Sequence, residues 1–185
     1  MPDTFNIFLV NEANSDDGWN DRIRGLVADR IRELFDIACK NSTKFGNSAA
    51  SWSTSAPTVG TVADHELVLY FLQSKKRSKV VKEGGDQPTL AGATWQSTKG
   101  MISEVYVEDS WGDGQPGKLF GNLAFHEFMH NKLDAHATLR SMSDIHLQGG
   151  RGLALVPLNA GSTHTDDNMK FMRAALDRKI KQYLG

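Results

Sequence analysis

A long amphipathic segment between two β-like stretches near the start of the chain restricts the fold more than any other feature. Trp19, Ile23, Leu26, Val27, Ile31, Leu34, Phe35 and Ala38 recur at three- and four-residue spacing, which predicts a helix over 18–40 with one apolar side. Asp16 and Asp17 stand before it as candidate caps. Ahead of it, "TFNIFLVNE" (4–12) alternates and is rich in β-branched and aromatic residues, so it reads as a strand. Behind it, "HELVLYFLQ" (65–73) is a nearly unbroken apolar run, as expected of a strand buried on both faces. A helix placed between strands makes a crossover, and such crossovers join parallel strands with a right-handed turn. The expectation is an α/β fold on a mixed, mostly parallel twisted sheet.

The rest of the pattern extends this plan. The Ser/Thr/Gly-rich stretch after the first helix holds one weak strand around 48–54. "TLAGATWQST" (89–98) reads as a short strand and "MISEVYVED" (101–109) as a stronger one. The turn-rich "DSWGDGQPG" leads into a second helix that carries three histidines. About thirty residues of glycine-rich, irregular chain follow. A terminal helix near 166–184 puts Met169, Met172, Leu176, Ile180 and Tyr183 on one side. With no internal repeat and no dividing linker, 185 residues suit a single domain, 1–185.

Charge removes several classes of partner. Lys plus Arg number 21 and Asp plus Glu 22, so no global field draws in nucleic acid or an anionic membrane. The basic run Lys75, Lys76, Arg77 and Lys79 reads as a solvated turn in a chain so balanced. The acidic loops "NSDDGWND" and "EDSWGDGQ" match no full calcium pattern and read as surface turns. The lone Cys39 excludes an internal disulfide and falls on the apolar side of the first helix, as a small buried hydrophobe. No run reaches the length of a membrane span, and "MPDTFNIFLVNEANSDDG" lacks the pattern of a signal peptide. A secreted and a cytoplasmic location both fit, and a monomer is expected.

The chemistry concentrates in "HEFMHNKLDAH" (126–136). Positions i and i+4 of a helix differ by only about 40° of rotation, so His126 and His130 can aim their imidazoles at one point. That suits Zn²⁺, with Zn–N of about 2.0–2.1 Å. Glu127 is rotated by about 100° from His126 and borders this face, where it can hold a water rather than the metal. Phe125, Phe128 and Met129 lie on the other side and would bury the helix. A third protein ligand is needed. Asp134 on an unbroken helix would lie about 12 Å along the axis from His126, too far to share an ion. No glutamate follows Glu127; Asp166, Asp167, His146, His164 and His136 are the downstream candidates.

The spacing of His136 makes the segment resemble the H-E-x-x-H-x-x-G-x-x-H signature of the metzincin metallopeptidases. The resemblance implies a zincin-like fold and a helix that breaks after His130. It further implies that His126, His130 and His136 hold Zn²⁺ above a Met-turn, for which Met142 in "RSMSDIH" is the candidate. It implies a zinc-dependent endopeptidase acting on a peptide or protein substrate, with Glu127 as general base and the strand at 89–98 as the edge that receives an extended peptide. Two positions depart from the family. Leu133 stands where the family has glycine, and a leucine at positive φ costs on the order of 1–2 kcal/mol. Asp144 stands where some members carry a tyrosine. A catalytically inactive metal- or peptide-binding module on the same scaffold is the alternative, and a hydrolase of non-peptide amides comes third.

Overall fold

The computed structural model describes residues 2–14, 18–53, 66–78, 91–97, 100–108, 114–136, 153 and 158–177. Strand β1 (Asp3–Glu12) is followed by helix α1 (Asp21–Cys39) and strand β2 (Phe45–Ser53). Strands β3 (Glu66–Leu72), β4 (Gly92–Ser97) and β5 (Gly100–Tyr106) come next, then helices α2 (Pro116–His136) and α3 (Asp166–Leu176). The five strands form one sheet in the order β2-β1-β3-β5-β4. Pairs β1–β2, β1–β3 and β3–β5 are parallel; β4 runs antiparallel along β5 as an edge. The mostly parallel sheet expected from the interposed helix is therefore present.

Alternation along the strands separates two clusters. Phe5, Ile7, Leu9, Leu67, Leu69, Phe71 and Val105 join the buried apolar residues of α1, α2 and α3 in the main core. Val10, Val68, Tyr70, Leu72 and Tyr106 form a second buried cluster on the other face. Strand β3 is thus buried on both faces, which is why its sequence shows no polar alternation. Phe35 of α1 ties the layers together. It stacks on Phe5 at 5.5 Å and meets Phe125 and Phe128 of α2 edge-on at 5.0 and 5.2 Å. Burying each such ring stabilises the fold by about 1.5–3 kcal/mol, so the segment around the histidines is anchored from below.

Helices α1 and α2 approach closely because Gly117 and Gly121 sit one turn apart at their crossing. A Cβ at Gly117 would stand 2.5 Å from the Leu26 Cβ, and one at Gly121 would stand 2.5 Å from the Arg30 Cγ. Beside that crossing, buried Asn122 accepts from Arg30 Nε at 3.0 Å and donates to the carbonyls of Asn159 and Ser162. These glycines fall in and just after the stretch that reads as a turn in sequence, and α2 begins at Pro116, inside it. Pro at a helix start costs nothing, because its missing N–H would have no partner there.

Other boundaries also differ from the expectation. The cap of α1 is Asn20, whose Oδ1 accepts from the Ile23 N–H at 3.1 Å; Asp16 and Asp17 lie outside the described residues. The weak strand at 48–54 is a nine-residue strand, held by its parallel register against β1 from Asp3 to Val10. The terminal helix is described over Asp166–Leu176, and Ile180 and Tyr183 lie outside the described residues. Cys39 is buried as expected, and burial pushes its thiol up to about 12. No described helix is long and apolar enough to cross a membrane.

Candidate active site

His126, Glu127, His130 and Asn131 occupy successive turns of α2 and are all buried. The i, i+4 spacing brings the two imidazoles edge to face, with ring centroids 4.8 Å apart. Their Nε2 atoms are 3.2 Å apart. Two imidazole nitrogens on one tetrahedral zinc, each at about 2.0–2.1 Å, stand about 3.3 Å from each other. The pair therefore has the bite that such an ion requires.

The proton positions follow from the neighbours. His126 Nδ1 lies 2.6 Å from the Leu153 carbonyl oxygen, which can only accept, so Nδ1 carries the hydrogen. The Nε2 of neutral His126 is then a bare acceptor turned toward His130. A carbonyl behind the ring is the arrangement that orients a metal-ligating histidine and raises its basicity. Leu153 is itself fixed: its N–H donates to Asn168 Oδ1 at 2.9 Å. Asn168 sits at the start of α3, where its own N–H donates to Thr165 Oγ1 at 3.2 Å and its Oδ1 also accepts from the Thr165 N–H. The cap of α3 thus holds the carbonyl that orients His126.

Glu127 turns to the β4–β5 edge. Thr94 Oγ1 lies 2.7 Å from Glu127 Oε2 and 2.9 Å from the Glu127 carbonyl oxygen. The other carboxylate oxygen lies over Gly92: a Cβ there would stand 2.8 Å from Oε1, 3.0 Å from Cγ and 2.7 Å from the Glu104 carbonyl oxygen. Only glycine fits at position 92 with Glu127 in this place. Burial pushes the Glu127 carboxyl up to about 8; the Thr94 hydrogen bond opposes that rise, and the charge of Glu104 adds to it. Glu104 follows Ser103 in β5, and its Oε2 accepts from Ser78 Oγ at 2.6 Å and Tyr106 OH at 2.9 Å.

Among the described residues, no third ligand joins the pair. Helix α2 continues through Leu133 to His136, whereas the family resemblance implies a break after His130. On a continuous helix, position 136 lies about 15 Å along the axis from position 126. Bringing His136 to the pair requires the backbone to leave the helix beyond Asn131. The side chain of His136 is outside the described set, and Met142 and His146 lie outside the described residues. Asp166 is exposed at the start of α3, and His164 precedes it. Among the described residues, no three metal-ligating side chains come together.

Thr94, Ser103, Asn131, Gly92 and Asn168 escaped the sequence reading. Their signal is tertiary: Thr94 and Ser103 face each other only because β4 and β5 pair in that register. No family model matches the chain, and neither a curated protein nor a solved structure matches it.

Proposed function

We propose that the chain is a zinc-dependent endopeptidase. The observation that carries this reading is the His126–His130 pair, with Nε2 atoms 3.2 Å apart and His126 held by a carbonyl behind it. A structural metal site has no need of the adjacent carboxylate, and Glu127 is placed and enclosed rather than solvated. When bound, a zinc ion supplies a Lewis acid for the scissile carbonyl, an acidified water, and a positive charge that favours ionised Glu127. His126 and His130 would hold it, and His136 would be the third ligand if the chain left the helix beyond Asn131. Glu127 takes the proton of the attacking water and passes it to the leaving amine. Strand β4, at the sheet edge beside Glu127, offers an extended peptide a strand to pair with.

The continuous helix through Leu133 favours a second reading, a metal- or peptide-binding module without turnover. Glu127→Ala separates the two. In the peptidase it abolishes hydrolysis of an unfolded protein while zinc content, measured after dialysis, stays unchanged. Appreciable residual hydrolysis removes the general-base role.

A further inference from the structure

We propose that Thr94 is the positioning residue for Glu127, at the end of a one-way chain of hydrogen bonds that begins and ends on α2. This rests on the peptidase reading for its catalytic meaning, but the chain itself is a matter of geometry. Asn131 Nδ2 lies 3.1 Å from Ser103 Oγ, Ser103 Oγ lies 2.9 Å from Thr94 Oγ1, and Thr94 Oγ1 lies 2.7 Å from Glu127 Oε2. Both hydroxyls are buried, so each hydrogen needs a partner within the protein.

The direction follows from what each group can do. The amide nitrogen of Asn131 can only donate, so Ser103 accepts from it. Once ionised, as a bound cation would make it, Glu127 can only accept, and a charge-assisted bond is stronger than a neutral one. Thr94 has one hydrogen and three acceptors in reach: Oε2, the Glu127 carbonyl at 2.9 Å, and Ser103. It therefore goes to Oε2, the shortest and the charged one. The Ser103 hydrogen is then shared between Thr94 at 2.9 Å and the Glu127 carbonyl at 3.3 Å. Both hydroxyl hydrogens are used, and bonds in such a run polarise one another.

The consequence is a carboxylate with its two oxygens in different roles. Thr94 pins Oε2, and Gly92 provides the floor against which Oε1 rests. In the peptidase reading, Oε1 is then the oxygen left to take the proton. Because Thr94 and Ser103 are direct cross-strand partners, the β4–β5 register sets where that oxygen stands relative to the histidine pair.

The test compares Thr94→Val, which keeps the shape and removes the hydroxyl, with Thr94→Ser, which keeps the hydroxyl. The first readout needs neither zinc nor activity. In metal-free protein labelled with ¹³C at the glutamate carboxyl carbons, the Glu127 resonance is assigned by its loss in Glu127→Gln. It is read at a pH high enough that further base no longer moves it. The resonance moves in Thr94→Val and stays near the wild-type position in Thr94→Ser. The second readout is steady-state hydrolysis by zinc-loaded protein. Thr94→Val lowers kcat by about 10- to 100-fold, the cost of a misplaced catalytic group, with KM within about twofold and zinc content unchanged; Thr94→Ser restores kcat. Ser103→Ala, which leaves Thr94 in place, gives a smaller loss of the same kind and serves if Thr94→Val does not fold. An unmoved resonance in Thr94→Val overturns the contact, and an unmoved kcat overturns the positioning role. A wild-type protein that hydrolyses nothing overturns the peptidase reading and the catalytic role with it, while the resonance still decides whether Thr94 holds the carboxylate.

Discussion

The Nε2 atoms of His126 and His130 lie 3.2 Å apart, and the Leu153 carbonyl fixes the proton of His126 on the far side of its ring. In the metal-free protein one of these nitrogens carries the hydrogen between the rings, and an ion held by the pair would take its place. His130→Ala leaves His126 without its partner and is expected to weaken zinc binding by at least about 100-fold, beyond the loss usual for an outer-shell partner. A competition titration against a chromophoric chelator measures it. Equal affinity in the variant would mean that zinc binds elsewhere.

Gly92 and Glu127 are in contact in a way that leaves no room for a methyl group. In Gly92→Ala the carboxylate or strand β4 has to move. Overpacking of this kind costs about 1–3 kcal/mol of stability, readable as a lower denaturation midpoint. Hydrolysis falls by about 100-fold while zinc affinity stays within a few-fold, because the new methyl group lies at Glu127. A variant with wild-type turnover would show that Glu127 does not work from this position.

Metal-free stability carries the mark of Glu127. Its carboxyl is raised from 4.5 to about 8 in the folded protein, so between those values the folded state keeps a proton that the unfolded chain releases. The stabilisation is complete below pH 4.5 and is lost as pH rises toward 8. The slope reaches about 1.4 kcal/mol per pH unit at most. Urea midpoints of metal-free protein at several pH values across this window are expected to fall with pH. In Glu127→Gln that part of the decline disappears, and an identical pH dependence would place the titrating group elsewhere.

Leu133 opposes the bend that would carry His136 to the pair, since α2 runs through it as regular helix. Leu133→Gly lowers the helix preference of that turn by up to about 1 kcal/mol and admits the left-handed backbone. Metal-free protein is therefore expected to lose stability by that amount, while zinc binds several-fold more tightly. His136→Ala cancels the gain. Tighter binding that survives His136→Ala would assign the third ligand to another residue.

The parts of the fold that were legible in sequence are those where local pattern and burial agree. The α1 residues from Val27 to Ala38 and the apolar run of β3 stand where they were expected, because they face the core; Leu26, expected on the same side, is 46% exposed, and Trp19 is buried just before the helix begins. Strand β2 has the sequence "FGNSAASWS", poor in β-branched residues, and owes its conformation to pairing with β1. The start of α2 was hidden because Gly117 and Gly121 look like turn residues, although they serve the close approach of α1. At the site, the two histidines and Glu127 could be read from spacing along one helix. Thr94, Ser103 and Leu153 could not, since strand register and the approach of α3 bring them to α2.

The most direct measurement of the peptidase reading is the cleavage rate of a generic unfolded protein, followed in zinc-loaded wild type, after chelation, and after zinc is restored. Cleavage is expected in the loaded protein, to vanish with the chelator, and to return when zinc is added back in a one-to-one amount. A protein that binds zinc tightly at the His126–His130 pair and cleaves nothing, or one whose cleavage survives complete removal of metal, would contradict it.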